Sequence, residues 1–136
     1  MTPEEALQAL SPRPLHPETL PLRSVLGRVL AEDITARRDE PPHDMSEKDG
    51  YAVRFDDLLG PLRMVGEAGP GERPTLRLRR NECTKALTGS YLPKGADTIV
   101  PMEYVEVSND SIFVKRRIER GANISPRGSD FKKGSS

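Results

Sequence analysis

Val105-Glu106-Val107-Ser108-Asn109-Asp110-Ser111-Ile112-Phe113-Val114 is the stretch on which the fold turns. Val105 and Val107 flank Glu106, Ile112 and Val114 flank Phe113, and Asn109-Asp110 between them is turn chemistry, so the spacing predicts a β-hairpin. The same period-2 habit recurs upstream. Tyr51, Val53 and Phe55 alternate with Ala52 and Arg54. Leu76 and Leu78 alternate with Thr75, Arg77 and Arg79, which predicts a strand with an apolar inner face and a basic outer one. From Asp33 onward such segments are punctuated by Gly and Pro, with Gly66 to Gly71 and Gly121 to Gly128 expected as loops. The chain holds 13 Pro, each of which removes an amide donor, so much of the backbone is expected in turns and edge strands. The fold class that follows is mainly β, or α+β by count of elements.

Helical periodicity is confined to the N-terminal part. Thr2-Pro3-Glu4-Glu5 carries a Thr cap, a Pro in the first turn and a Glu three residues after the cap, and Ala6, Leu7 and Leu10 give that helix a short apolar face. The run of Pro12, Pro14 and Pro17 cannot continue it and is expected as extended linker. Leu22, Val25, Leu26, Val29 and Leu30 fall on one stripe of a 3.6-residue period, which predicts a second helix. This divides the chain into a helical and linker segment over residues 1–38 and a β-rich domain over 39–136. With nothing visible to cover its stripe, the isolated chain is expected to self-associate or to hold its N-terminal helices loosely. Ser135-Ser136 after Lys132-Lys133-Gly134 reads unlike the end of a domain, as a cut or an added tail would.

Composition excludes several classes of function. In 136 residues, 21 Lys and Arg balance 21 Asp and Glu, so the chain lacks the basic excess that a nucleic-acid or polybasic membrane binder needs to meet phosphate. Leu, Ile, Val and Phe together exceed the roughly 20% below which a chain fails to fold. Cys83 is the one cysteine, which rules out an internal disulfide and, with only His16 and His43 beside it, a closed zinc site. Glu4 and Glu5 stand where a secretory signal needs positive charge, and no apolar run approaches the ~20 residues that span a bilayer. A soluble cytoplasmic protein is expected.

Gly-x-Ser-x-Gly elbows, phosphate loops and dinucleotide fingerprints are missing from the sequence. His43, Asp44 and Ser46 are triad residue types, but neighbours in sequence rarely converge, and a solvated turn is expected there. Three Gly-containing loops carry small polar groups. Asp49-Gly50 reads locally as an Asp-Gly turn. Thr88-Gly89 offers a hydroxyl and amides that hold an oxyanion or simply satisfy a turn. Arg127-Gly128-Ser129-Asp130 is either a carboxylate held by Arg or an ordinary exposed loop.

The order and wording of these loops together are specific. Pro41-Pro42-His43-Asp44-Met45-Ser46-Glu47-Lys48-Asp49-Gly50-Tyr51-Ala52-Val53, Thr88-Gly89-Ser90-Tyr91-Leu92-Pro93-Lys94-Gly95-Ala96-Asp97-Thr98-Ile99-Val100 and Gly121-Ala122-Asn123-Ile124-Ser125-Pro126-Arg127-Gly128-Ser129-Asp130-Phe131 resemble the MoeA family of molybdopterin molybdenumtransferases, to which the gephyrin E domain is related. Leu26-Gly27-Arg28-Val29-Leu30-Ala31-Glu32-Asp33 is similar to that family's opening helix. The resemblance implies the N-terminal region of a molybdenum insertase, built of irregular, bifurcated antiparallel sheets with short N-terminal helices that belong to a dimerisation stalk. It implies molybdate transfer into adenylylated molybdopterin, assisted by Mg²⁺, in a homodimer whose cleft lies between chains. A chain ending before the family's later domains is expected to be inactive alone.

By resemblance, Asp49, Thr88 and Asp130 are the catalytic positions, with Asp49 and Asp130 also the candidate Mg²⁺ ligands. Ser46, Gly50, Tyr51, Gly89, Arg127 and Gly128 are the candidate substrate-binding residues. His43, Met45, Glu47 and Lys48 depart from the family's wording, and the two charges beside Asp49 are expected to alter its field. The alternative reading is a non-catalytic binding or scaffold module of the same fold.

Overall fold

The computed structural model describes residues 2–10, 15–72 and 74–136. They fall into two compact units, Met1–Ile34 and Thr35–Ser136.

In the first unit, α1 (Pro3–Ala9) begins as its sequence predicts. The Thr2 hydroxyl accepts from the Glu5 amide at 3.1 Å and the Glu5 carboxylate accepts from the Thr2 amide at 2.7 Å, a reciprocal capping box. The predicted second helix does not form. Only a 3₁₀ turn, Leu22–Ser24, occupies its start, and Gly27 then enters the left-handed region at φ +81°. The stripe residues Leu22, Leu26 and Val29 are 88%, 97% and 95% exposed. A short apolar period without a surface to pack on does not offset the entropy of nucleating a helix. Of the predicted linker, Pro12 and Pro14 lie outside the described residues, and Pro17 lies in neither a helix nor a strand.

The second unit is built on eight strands. They are β1 (Met45–Ser46), β2 (Gly50–Val53), β3 (Leu62–Ala68), β4 (Glu82–Ala86), β5 (Thr98–Pro101), β6 (Val105–Ser108), β7 (Ser111–Val114) and β8 (Ile124–Ser125). Six of them form one sheet in the order β5-β2-β4-β3-β7-β6, and β1 pairs with β8 in a second. The hairpin that opened the reading is β6–β7, with Val105 opposite Val114 and Val107 opposite Ile112. Asn109 takes φ +50° at its turn, which Asn tolerates. The strand pairs are antiparallel, as expected, except that β3 and β4 run parallel, with a register shift between Met64 and Glu67.

Two further expectations are corrected. Gly66 lies inside β3 rather than in a loop. The Leu76–Leu78 segment forms a single bridge, Arg77 to Lys94, instead of a strand. Its inward-outward alternation nonetheless holds, since Leu78 is buried while Arg77 and Arg79 are exposed.

The sheet separates two apolar clusters. Tyr51, Val53, Leu62, Cys83, Val100 and Ile112 pack on one face, and Ala52, Ala86 and Ile99 on the other. All four residues of β2 are buried, because strands flank it on both edges and side chains cover both faces. Burial pushes the Cys83 thiol up to about 12 and removes it as a nucleophile. Among the described residues, no helix is long and apolar enough to cross a membrane.

Candidate functional site

Three loops far apart in sequence converge beside the end of β2 where Asp49 leads in. The strand β1 binds them together through main-chain bonds. Its Ser46 amide donates to the Ser90 carbonyl and its Ser46 carbonyl accepts from the Gly89 amide, both at 2.9 Å. On the other side Glu47 donates its amide to the Asn123 carbonyl at 3.0 Å. Asp44 joins all three loops by itself: its carbonyl accepts from the Leu92 amide at 3.0 Å, and its carboxylate accepts from the Arg127 amide at 2.8 Å.

Within this frame the structure joins Asp49 to Thr88. One carboxylate oxygen, Asp49 Oδ1, accepts from both the Thr88 amide and the Thr88 hydroxyl, each at 2.8 Å. These two bonds, the amide first, hold the Asp49 carboxyl below the usual carboxylate range, and the positive charge of Lys85 adds to them. Glu47 makes no bond to Asp49 or Thr88 among the described residues. The Glu47 carboxylate is occupied instead by the Ser125 hydroxyl at 2.8 Å.

The loop amides are committed internally. Thr88 donates to Asp49, Gly89 to Ser46 and Ser90 to Leu87, so the three amides of this turn face no open oxyanion position. Gly89 sits at φ +85° to make these bonds. At Gly50 the constraint is space: a Cβ there would stand 2.2 Å from the Val100 carbonyl oxygen. Gly50 is thus the first residue of a closely approached central strand, not the pivot of an Asp-Gly turn. The Ser46 hydroxyl is 1% exposed and donates to the Lys48 carbonyl at 2.7 Å, and Tyr51 is buried in the core cluster. Ser46 therefore does not belong to a solvated turn. His43 lies edge-on to Tyr91 at 5.2 Å between ring centroids, so His43, Asp44 and Ser46 form no triad.

The third loop is held by a residue that sequence reasoning missed. The carboxylate gripped by Arg127 is Asp39, with Nε to Oδ2 at 2.6 Å. The other Asp39 oxygen accepts from the Lys133 amide at 2.8 Å. The Lys133 amide bond, then Arg127, pull the Asp39 carboxyl below its ordinary value. The main chain adds to the clamp, with Gly128 donating to Pro41 and Asp130 to Glu40 at 2.9 and 3.0 Å. Asp130 makes no direct bond to Asp49 or Thr88, and its carboxylate is exposed with no partner among the described residues.

No three His, Cys, Asp or Glu side chains gather as a metal site among the described residues. Asp49 Oδ2, which takes part in none of the bonds above, and the Asp130 carboxylate are nonetheless hard oxygen donors. Each is the kind of oxygen ligand that Mg²⁺ takes beside water and substrate oxygens.

Known proteins bear on this geometry. The family model described as the MoeA N-terminal region, domains I and II, matches residues 1–136. A molybdopterin molybdenumtransferase of Bacillus subtilis is 35% identical over 87% of this chain and 30% of its own length. One of Staphylococcus aureus is 30% identical over 85% of this chain and 29% of its own. The crystal structure of the molybdopterin biosynthesis MoeA protein of Pyrococcus horikoshii superposes with a TM-score of 0.81 at 38% identity, over 87% of this chain and 33% of that one. The chain therefore spans about a third of the length of the relatives it matches. The loops that carry the family's wording are the ones β1 laces together, and the match runs from end to end: this chain belongs to the MoeA family, as its N-terminal region.

Proposed function

We propose that the chain is the substrate-facing N-terminal part of a molybdenum insertase, which transfers molybdate into adenylylated molybdopterin in the cytoplasm. The observation that carries this reading is the bond pair from Thr88 to Asp49, which joins two family-worded loops in one ionised, oriented carboxylate. The relatives' names, molybdopterin molybdenumtransferase, supply the transfer of molybdenum to molybdopterin. In this reading the rest of the cleft falls to further domains of a homodimer and the region is inactive by itself, consistent with a chain that covers about a third of those relatives.

In this reading Asp49 stays charged at neutral pH and presents Oδ2 while Thr88 fixes Oδ1. Thr88 has one hydroxyl proton, and Asp49 holds it, so donation to a substrate oxygen requires that bond to exchange. Asp49 and Asp130 would hold Mg²⁺, which when bound neutralises phosphate oxygens. Arg127 is fixed at Nε by Asp39, which leaves the Nη edge of its guanidinium to meet an anionic group.

The test is a chimera in which this chain replaces the matched region of the Bacillus subtilis enzyme. The chimera should restore molybdoenzyme activity to a strain lacking that enzyme, and Asp49→Asn should reduce it at least about hundredfold with the chain still folded. Wild-type activity of the Asp49→Asn chimera would remove Asp49 from the reaction. A folded but inactive chimera would favour a scaffold role.

A further inference from the structure

One cation borders the Asp49–Thr88 pair and belongs to none of the loops with family wording. Lys85 lies on β4 one residue before Ala86, which is opposite Gly50, so Lys85 is directly opposite Tyr51 on β2. On its other side Lys85 is in register with Glu67 of β3. Glu67, Lys85 and Tyr51 thus form a row across three adjacent strands on one face of the sheet. That row ends the Tyr51-Cys83 core cluster at the end of the sheet that carries Asp49 and Thr88.

The Lys85 ammonium donates to Glu67 Oε1 at 3.0 Å, with its side chain 31% exposed and that of Glu67 55% exposed. After Glu67, the charges it feels include that of Asp49. An ion pair this exposed contributes little to stability, about 0–1 kcal/mol, so Glu67 restrains the ammonium without committing it. An ammonium also carries three donors, and only one is used here.

We infer that Lys85 is a further ligand-binding residue of the Asp49–Thr88 site, its ammonium shared between Glu67 and a phosphate or pyrophosphate oxygen of the bound ligand. This rests on the proposed function for the identity of the ligand. A carboxylate site that must receive a polyanion needs a compensating cation beside it, and Lys85, opposite Tyr51 in the β2–β4 register and so next to the Asp49 end of β2, supplies one.

The KM of the chimera for adenylylated molybdopterin tests this. Lys85→Met should raise KM about tenfold with kcat within about twofold, and Lys85→Arg should restore most of the loss. Glu67→Gln breaks the same ion pair but frees the ammonium, so KM should hold or fall. Equal damage from Glu67→Gln and Lys85→Met, or an unchanged KM in Lys85→Met, overturns the inference. If Asp49→Asn is also without effect in that assay, the proposed function fails instead. Inorganic pyrophosphate titrated into the chain alone and followed by NMR gives an independent readout. The Thr88 amide should shift in the wild type, and in Lys85→Met only at about fivefold or more higher pyrophosphate. No shift in the wild type, or equal affinity in the variant, counts against Lys85.

Discussion

At the scale of single residues, two groups make opposite statements about hydrogen bonding. The Thr84 hydroxyl is fully buried in β4 without a partner among the described residues, and leaving such a group unpaired costs about 1–3 kcal/mol. Thr84→Val keeps the shape and the β-branching and removes the orphan, so it should stabilise the chain by about 1 kcal/mol in urea denaturation. The Asp49 carboxylate, by contrast, is doubly satisfied by Thr88. A carboxyl lowered in the folded state contributes stability that is present above its unfolded pKa and lost as pH falls through the folded one. Carbon-detected NMR titration should therefore place Asp49 below an ordinary aspartate, and Thr88→Val, which deletes the hydroxyl donor, should move its midpoint upward. A midpoint unmoved by Thr88→Val would mean the hydroxyl bond is not made in solution.

Among the elements, what was legible in the sequence was local. The capping box of α1 and the β6–β7 hairpin are written in residues a few positions apart, and both form as read. The second helix was misread because a periodic stripe says which residues share a face but not whether anything covers it. Gly27 in the left-handed region then ends any helical run there. The parallel pairing of β3 with β4 was not legible either. Parallel strands need a crossover, usually helical, and here the described residues between β3 and β4 cross over without a helix. Asp49 and Thr88 were found through wording, whereas Asp39 was missed because its partners lie 88 and 94 positions away and no local motif marks it. The clamp that Asp39 closes can be measured. Asp39→Ala should raise amide exchange at Lys133, Gly128 and Asp130 about tenfold while the β2 and β4 amides stay protected; equal exchange in both proteins would show that the main-chain bonds alone hold the segment.

For the whole molecule, the N-terminal unit presents Leu22, Leu26 and Val29 almost entirely to solvent, and large exposed apolar residues in one short segment mark a surface that associates. Sedimentation of the chain should show concentration-dependent dimers, and Leu26→Glu with Val29→Glu should return it to monomer. A wild-type monomer at high concentration would show that this segment is not an association surface. The β-rich unit has a different kind of robustness. Its three loops are bound to one another chiefly through peptide groups, Ser46 to Gly89 and Ser90, Glu47 to Asn123, Asp44 to Leu92, and a peptide group is the same whatever side chain it bears. Descendants of this gene can therefore respell the loops, as His43, Met45, Glu47 and Lys48 already do, and still inherit the frame; what they cannot respell is Gly50, where one carbonyl oxygen leaves room for a hydrogen atom and nothing larger.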